Sequence, residues 1–482
     1  MTPAQADLIH VLRPVLGVGG VVTEPADIEP WLTDWRCRFR GAAPALIAPD
    51  TREGVQAVVQ AAAERHVPLV PQGGNTSMVG GATPPEDGSA LILSTRRLNR
   101  LRSLDAGGGL AVAEAGVILT DLHTAALLAG RRFPLTLGAR GSATIGGLVS
   151  TNAGGTQVLR FGTMRGLVAG VEAVLPDGTI HDGLAPLKKD NRGYDIGQLL
   201  IGAEGTLGIV TAATLRLVPA IAERAVAWAG VTSPHQGLAL LRSLQAATDS
   251  IESFEIMPAE TLSAALAHLP GARSPLAGEH RWHLLIEAVS TDPAAVSPSV
   301  LLQGLLGTAL DDGQIEDAVI AQSEAQAEAF WRLRDSLSDA ERATGPAVQH
   351  DIAVPVDAMP DFMIEAARHV EARFPGTRAS GFGHLGDGNI HFHVRAPAGA
   401  ERQAWQAAEG PPISRYVHDL VVAAGGTISA EHGIGQMKRD ELARVSPPGR
   451  IAALRAIKQA FDPDWLFNPG KLVALAPVRP RS

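Results

Sequence analysis

The chain has 482 residues and a formal net charge of −9 at pH 7, with 45% hydrophobic and 19% charged residues. That is enough for two or three domains with a large buried core, and it offers no basic stripe for nucleic acid. One cysteine, Cys37, excludes an intrachain disulfide and a thiolate metal cluster and suits a reducing cytoplasm. The N-terminal run MTPAQADLIHVLRPVLG lacks the basic start and continuous apolar stretch of a signal peptide. No apolar run approaches the ~18 residues that a membrane span requires. A cytoplasmic protein is expected, with peripheral attachment to a membrane left open.

Residues 1–40 are expected to be helical with an irregular end, and 45–48 to form a short strand. Asp50 or Thr51 can cap a helix that places Val55, Val58, Val59 and Ala62 on one face. A strand at 68–71 completes a β-α-β start and delivers the loop QGGNTSMVGG, 72–81. Its glycines leave backbone N–H groups unobstructed, so the loop can cradle a diphosphate. No Lys-Ser/Thr follows the glycines, which excludes a Walker A loop.

Residues 137–160, LGARGSATIGGLVSTNAGGTQVLR, are mostly small. They permit close backbone approach to a large flat ligand, and Leu137, Ile145, Leu148 and Val149 argue against a solvated linker. Residues 168–180 read as two strands around Pro176-Asp177-Gly178. IGAEGTLGIVT, 201–211, runs into a strand at 213–219. From about 221 strands alternate with helices. Strands are expected at 253–257, 282–289 and 351–355, and helices at 299–310, 322–342 and 358–373. This order suggests an antiparallel sheet with helices on one side.

The segment SGFGHLGDGNIHFHV, 380–394, reads as a β-hairpin. Asp387-Gly388 is a strong signal for a two-residue type I′ turn. That turn would set Gly386 opposite Asn389, Leu385 opposite Ile390 and His384 opposite His391. Two imidazoles would then converge within about 5 Å between Cβ atoms, with His393 next on the same face. The match of Gly381, Gly383 and Gly386 to GxGxxG does not indicate a nucleotide site, because no helix follows it. In ISAEHGIG, 428–435, Glu431 and His432 point different ways, so one can ligate a metal while the other faces a substrate. His384, His391 and Glu431 form a donor set for one divalent ion: zinc first, with Mn2+ or Co2+ able to substitute.

The three glycine-rich stretches resemble the FAD-binding domain of the vanillyl-alcohol oxidase/p-cresol methylhydroxylase superfamily. With the histidine hairpin, ISAEHGIG and FDPDWLFNPGKL (461–472), the chain from about 20 to 475 resembles the FAD-linked D-2-hydroxyacid dehydrogenases, which include D-lactate and D-2-hydroxyglutarate dehydrogenases. The resemblance implies an α+β fold. A two-lobed FAD-binding domain of the p-cresol methylhydroxylase type would take 1–220. An antiparallel-sheet cap domain for the substrate would take 221–424. A C-terminal helical segment, 425–482, would return to the FAD domain.

It implies FAD contacts at Pro71, Gln72, Gly73, Gly74, Asn75, Thr76 and Gly80 in the first loop. In the second they are Gly138, Ser142, Gly146, Gly147, Thr151, Asn152, Gly154 and Gly155. Glu204, Gly205, Gly208 and Ile209 follow in the third, and Asn468 in the closing motif. Asn75 stands in the loop where some relatives attach FAD to a histidine, so non-covalent FAD is expected.

The resemblance also implies that Arg334 binds a substrate carboxylate, with Ser338 one turn on along the same helix. An Arg334 paired with Asp335 or Glu341 is the structural alternative. Gln349 stands where hydroxyglutarate enzymes carry a lysine, and His393 where they carry an asparagine. That favours D-lactate or a related acid, with D-2-hydroxyglutarate and a glycolate-oxidase-type subunit as alternatives. His432 would be the base, with hydride passing to FAD and electrons to a quinone or an electron-transfer flavoprotein. A homodimer is compatible with this reading. Two other classes remain open from the residues: a flavin-free metal hydrolase, and a flavoprotein without net redox chemistry, as in the ether-lipid synthase relatives.

Overall fold

The structure, a computed structural model, describes residues 1–474. The chain divides into two compact units. Unit 1 comprises residues 1–155, 162–219 and the stretch from Glu431 onward, and unit 2 comprises 156–161 and 220–430. The C-terminal segment expected to reach Ser482 has its last stretch, 475–482, outside the described residues.

Unit 1 begins with helix Pro3–Leu16, and the β-α-β start follows. Thr51 Oγ1 accepts from Gly54 N at 3.0 Å and caps helix Arg52–Glu64, which buries Val55, Val58, Val59 and Ala62. Among the described residues, strands β1 (Val21–Val22), β2 (Leu46–Ile47), β3 (Leu69–Gln72) and β4 (Leu91–Ser94) form one sheet in the order β1-β2-β4-β3. β4 runs parallel to both neighbours, and Leu91, Ile92 and Leu93 are fully buried. A central parallel strand covered on both faces needs such an unbroken apolar run.

Strands β5 (Leu101–Asp105), β6 (Leu110–Glu114), β7 (Arg131–Arg132), β8 (Val168–Val174), β9 (Ile180–Asp182), β10 (Ile209–Arg216) and β11 (Val218–Pro219) follow. β7 pairs with β11, and the others form an antiparallel sheet in the order β5-β6-β10-β8-β9. Gly178, at φ +80°, makes the turn from β8 to β9, as Pro176-Asp177-Gly178 indicated.

In unit 2, strands β12 (Glu223–Val231), β13 (Ile251–Pro258), β14 (Trp282–Ser290), β15 (Asp317–Ile320), β16 (Ala347–Ala353), β17 (Arg378–His384) and β18 (Asn389–Arg395) form one antiparallel sheet. Their order is β15-β12-β14-β13-β17-β18-β16. The expectation of helices on one side is wrong. Helices Pro234–Ala247, Pro298–Asp311, Met359–Arg373 and Arg402–Ala423 cover the face bearing Ile256, Ile286, Ile352, Ile390 and Phe392. Helices Ala259–His268, Glu324–Asp335 and Leu337–Ala343 cover the opposite face. That face carries Val226, Trp228, Met257, Leu285 and Phe382, too much apolar surface to leave in water.

The single helix expected over 322–342 is also wrong, since it divides at Ser336. Ser336 Oγ donates to Leu333 O at 2.8 Å, a local bond that competes with the helical ladder. No helix among the described residues is long and apolar enough to cross a membrane.

Candidate active site

The three glycine-rich stretches meet in unit 1. β3 ends at Gln72, whose Nε2 donates to Ala82 O (2.9 Å), tying the start of the first loop to its end, and to Trp31 O (3.0 Å). Asn75 adopts the left-handed conformation (φ +54°) and donates through Nδ2 to Thr33 O at 2.9 Å. A Cβ at Gly73 would stand 2.1 Å from Thr144 Oγ1, and one at Gly74 would stand 1.8 Å from Ser142 O. The first stretch therefore touches the second backbone to backbone at Gly74 and backbone to side chain at Gly73, with no room for a Cβ at either. Thr76 and Gly80 lie farther round the same loop, Gly80 at φ +66°.

The second stretch contains helix Ile145–Thr151, ended by Asn152 at φ +50°. Gly146 packs against Ala115 and Gly155 against Thr136 O, while Thr151 Oγ1 donates to Gly147 O at 2.9 Å. Gly154 stands beside Gly155 in the turn that leaves this helix. Gly138 and Gly141 have no atom within 4 Å of where a Cβ would stand. In the third stretch Gly205 lies against Pro71, Gly208 against Leu200, and Ile209 starts β10. Asn468 Nδ2 donates to Gly81 O (2.9 Å) and Glu204 O (2.7 Å), tying the closing motif to the first and third stretches.

In unit 2 the histidine hairpin forms, but not in the expected register. His384 pairs with Asn389, Gly383 with Ile390 and Phe382 with His391, leaving a four-residue loop, Leu385 to Gly388. Neighbouring strands cause the difference. Leu385 N donates to Phe254 O at 3.0 Å with its side chain fully buried, and Val354 N donates to Gly388 O at 3.1 Å. Gly388 has φ +81°, whereas Asp387 is not left-handed, so no type I′ turn exists. A shift of two residues preserves the face, and the His384 and His391 rings still lie 5.8 Å apart between centroids. The GxGxxG match lies in this strand and loop, with β18 after it rather than a helix.

On the same sheet face Asp351 pairs with His391, and Gln349 and Ser380 both pair with His393. Arg334 ends helix Glu324–Asp335; of the two expected partners it keeps only a long ion pair with Asp335, and its short contacts are with Glu255 and His384. Glu255 Oε2 accepts from Nε at 2.8 Å and lies 2.7 Å from Nη2, while Asp335 is 3.9 Å away and Glu341 lies against Arg395. Ser338 belongs to the next helix, half-buried, so its placement one turn along a shared helix does not hold.

Glu255 is the residue missed from sequence. It lies on β13 opposite His384, and its Oε1 is 2.6 Å from His384 Nδ1. Burial alone would raise its carboxyl pKa, but the Arg334 guanidinium first, and then the hydrogen bond with His384, hold it below the usual range. The available signal was an acid inside the apolar run IESFEIMP, since a buried carboxylate is ordinarily paired. Glu431 and His432 open the last stretch of unit 1 and are joined to unit 2 through Ala430.

Two families match the chain: "FAD linked oxidases, C-terminal domain" over residues 221–472 and "FAD binding domain" over 43–183. A Bos taurus protein named D-2-hydroxyglutarate dehydrogenase, mitochondrial, is 36% identical over 463 residues, covering 94% of this chain and 81% of its own. One named D-2-hydroxyglutarate dehydrogenase from Xanthomonas citri pv. viticola is 36% identical over 450 residues, covering 93% of each. A p-cresol methylhydroxylase solved with substrate bound superposes with TM-score 0.77 at 15% identity, covering 98% of this chain and 97% of its own, which shows the shared fold.

Proposed function

Because the chain belongs to the FAD-linked D-2-hydroxyacid dehydrogenase family and is thus a FAD-linked oxidoreductase, we propose that it oxidises a D-2-hydroxy acid to the 2-oxo acid and passes the electrons to an acceptor other than NAD. In this reading residues 1–220 hold FAD and 221–424 hold the substrate. The observation that carries it is the Glu255–His384–Arg334 group, which combines a carboxylate-binding cation with an imidazole of defined tautomer.

The cradle in unit 1 suits FAD. Gly73 and Gly74 allow two loops to meet, and Gly138 and Gly141 leave their backbone uncovered. Asn75 offers no nucleophilic ring nitrogen, so the flavin is held without a covalent bond. The hairpin likewise suits a metal. A carboxylate only accepts, so the ionised Glu255 makes Nδ1 of His384 the donor and puts the lone pair of the neutral ring on Nε2, where Arg334 Nη2 now stands at 3.1 Å and a metal would have to take its place. Metal-ligating histidines ordinarily have such a partner. His384, His391 and Glu431 are assigned as ligands, with zinc favoured by the His/His/carboxylate set and Mn2+ or Co2+ able to replace it.

FAD, when bound, accepts the C2 hydride, and a divalent cation, when bound, places positive charge beside the 2-hydroxyl. The protein's own groups do the rest. Arg334 binds the C1 carboxylate and shares its guanidinium with Glu255. His432 takes the hydroxyl proton, a task for a group that titrates near neutrality. Gln349 and His393 are assigned to the substrate's side chain. Gln349 adds no second cation, which favours monocarboxylic acids such as D-lactate. The names of the relatives favour D-2-hydroxyglutarate.

The test is anaerobic stopped-flow reduction of the flavin by D-lactate, D-2-hydroxyglutarate and their L-isomers. Bleaching by D-isomers alone is expected, with D-lactate used at least as well as the dicarboxylate. Strong preference for the dicarboxylate overturns the assignment of Gln349, and a colourless protein overturns the whole reading. His432→Ala should slow reduction by roughly 100- to 10,000-fold with FAD retained.

A further inference from the structure

We propose that Glu204 is a positioning residue that holds the Glu431-His432 stretch in register with the FAD cradle. The proposal rests on the reading of Glu431 as ligand and His432 as base.

Glu204 is buried, yet its carboxylate is turned to the returning chain. Oε1 accepts from Ile434 N and Oε2 from Gly435 N, both at 2.7 Å. Two successive N–H groups grip one carboxylate only two and three residues after His432. The backbone of Glu204 is committed as well. It is left-handed (φ +52°), its N–H donates to Ser150 O in the second stretch at 2.7 Å, and its carbonyl accepts from Asn468. One residue thus joins the second stretch, the closing motif and the 431–435 stretch. Burial raises its carboxyl pKa, while the two N–H groups and then Lys438 and Lys471 favour the anion.

The glycines of HGIG complete the fit. Gly433 has φ +80°, and a Cβ there would stand 2.9 Å from Glu204 Oε1. Gly435 has φ +53°, and a Cβ there would stand 2.3 Å from Val79 O. Val79 O in turn accepts from Gln436 N and Met437 N, each at 3.2 Å, so the stretch is also fastened to the first FAD loop. This is the chemistry of a carboxylate bound in a backbone nest, with both partners inside the protein.

The test compares FAD-loaded wild type with Glu204→Gln, which keeps the length but presents an amide N–H to one of the two donors. Hydrogen exchange by mass spectrometry should be faster by roughly 10-fold in peptides covering 431–438, the effect of losing one charge-assisted hydrogen bond. The kcat for flavin reduction should fall roughly 10- to 100-fold, KM should stay within about twofold, and FAD should be retained. Gly433→Ala attacks the same contact from the other side and should give the same signature if Glu204→Gln does not fold. Unchanged exchange with unchanged kcat overturns the proposal, and so does loss of FAD with unchanged exchange, which would make Glu204 a cofactor residue. His432→Ala separates the two readings. If it leaves flavin reduction unaltered, the assignment of the base fails, while exchange in Glu204→Gln still reports on the clamp.

Discussion

Glu255 and His384 face each other across β13 and β17 with Oε1 2.6 Å from Nδ1, and the other oxygen of Glu255 holds Arg334. One buried carboxylate therefore sets the tautomer of a proposed ligand and the orientation of a proposed substrate-binding cation. Glu255→Gln removes the obligate acceptor at Nδ1. Zinc affinity of the FAD-loaded enzyme, read by competition with a chromophoric chelator, should weaken about 10- to 100-fold. Unaltered affinity would show that His384 ligates no metal or needs no orienting partner.

Arg334→Ala should act on both binding and stability. Losing a charge-assisted carboxylate contact of about 1.5–3 kcal/mol should raise KM roughly 10- to 100-fold with a smaller change in kcat. It also leaves Glu255 buried without its guanidinium, and breaking such a pair costs about 3–5 kcal/mol. The thermal midpoint should fall and partly recover in Arg334→Ala/Glu255→Gln. A variant with unchanged KM would remove Arg334 from the substrate.

FAD retention should depend on which glycine is changed. Gly74→Ala places a methyl group 1.8 Å from Ser142 O and must part the first two loops, so FAD should be lost on gel filtration. Gly138→Ala meets no protein atom within 4 Å, so the fold should tolerate it and any effect should be confined to FAD affinity. Acid precipitation of the wild type should release all flavin to the supernatant. Flavin in the pellet would contradict the role given to Asn75.

His283 predicts how stability responds to acid. Burial first, and then the neighbouring His280, holds its pKa down to about 4, and its Nδ1 accepts from Trp228 Nε1 at 3.2 Å. The folded pKa is below the unfolded value of about 6.5, so the unfolded chain binds the proton more readily. This contribution is complete above about pH 6.5 and declines as the pH falls toward and through 4. His283→Asn keeps an acceptor for Trp228 but cannot take a proton. Its thermal midpoint should fall less between pH 7 and 5 than that of the wild type. Equal falls would mean that other groups govern acid sensitivity.

What the sequence determined by itself were features that depend on neighbours along the chain. Thr51 caps its helix because a hydroxyl before a helical run meets an N–H three residues on. His384, His391 and His393 share a face because strand side chains alternate with a period of two, and this survives a two-residue slip in pairing. The slip itself was settled by tertiary structure. Asp387-Gly388 favours a tight turn locally, but burial of Leu385 and its bond to Phe254 outweigh that preference. Sheet order likewise decided the partner of His384. Glu255 is 129 residues away and reaches it only because β13 and β17 become neighbours, a pairing that no local pattern encodes.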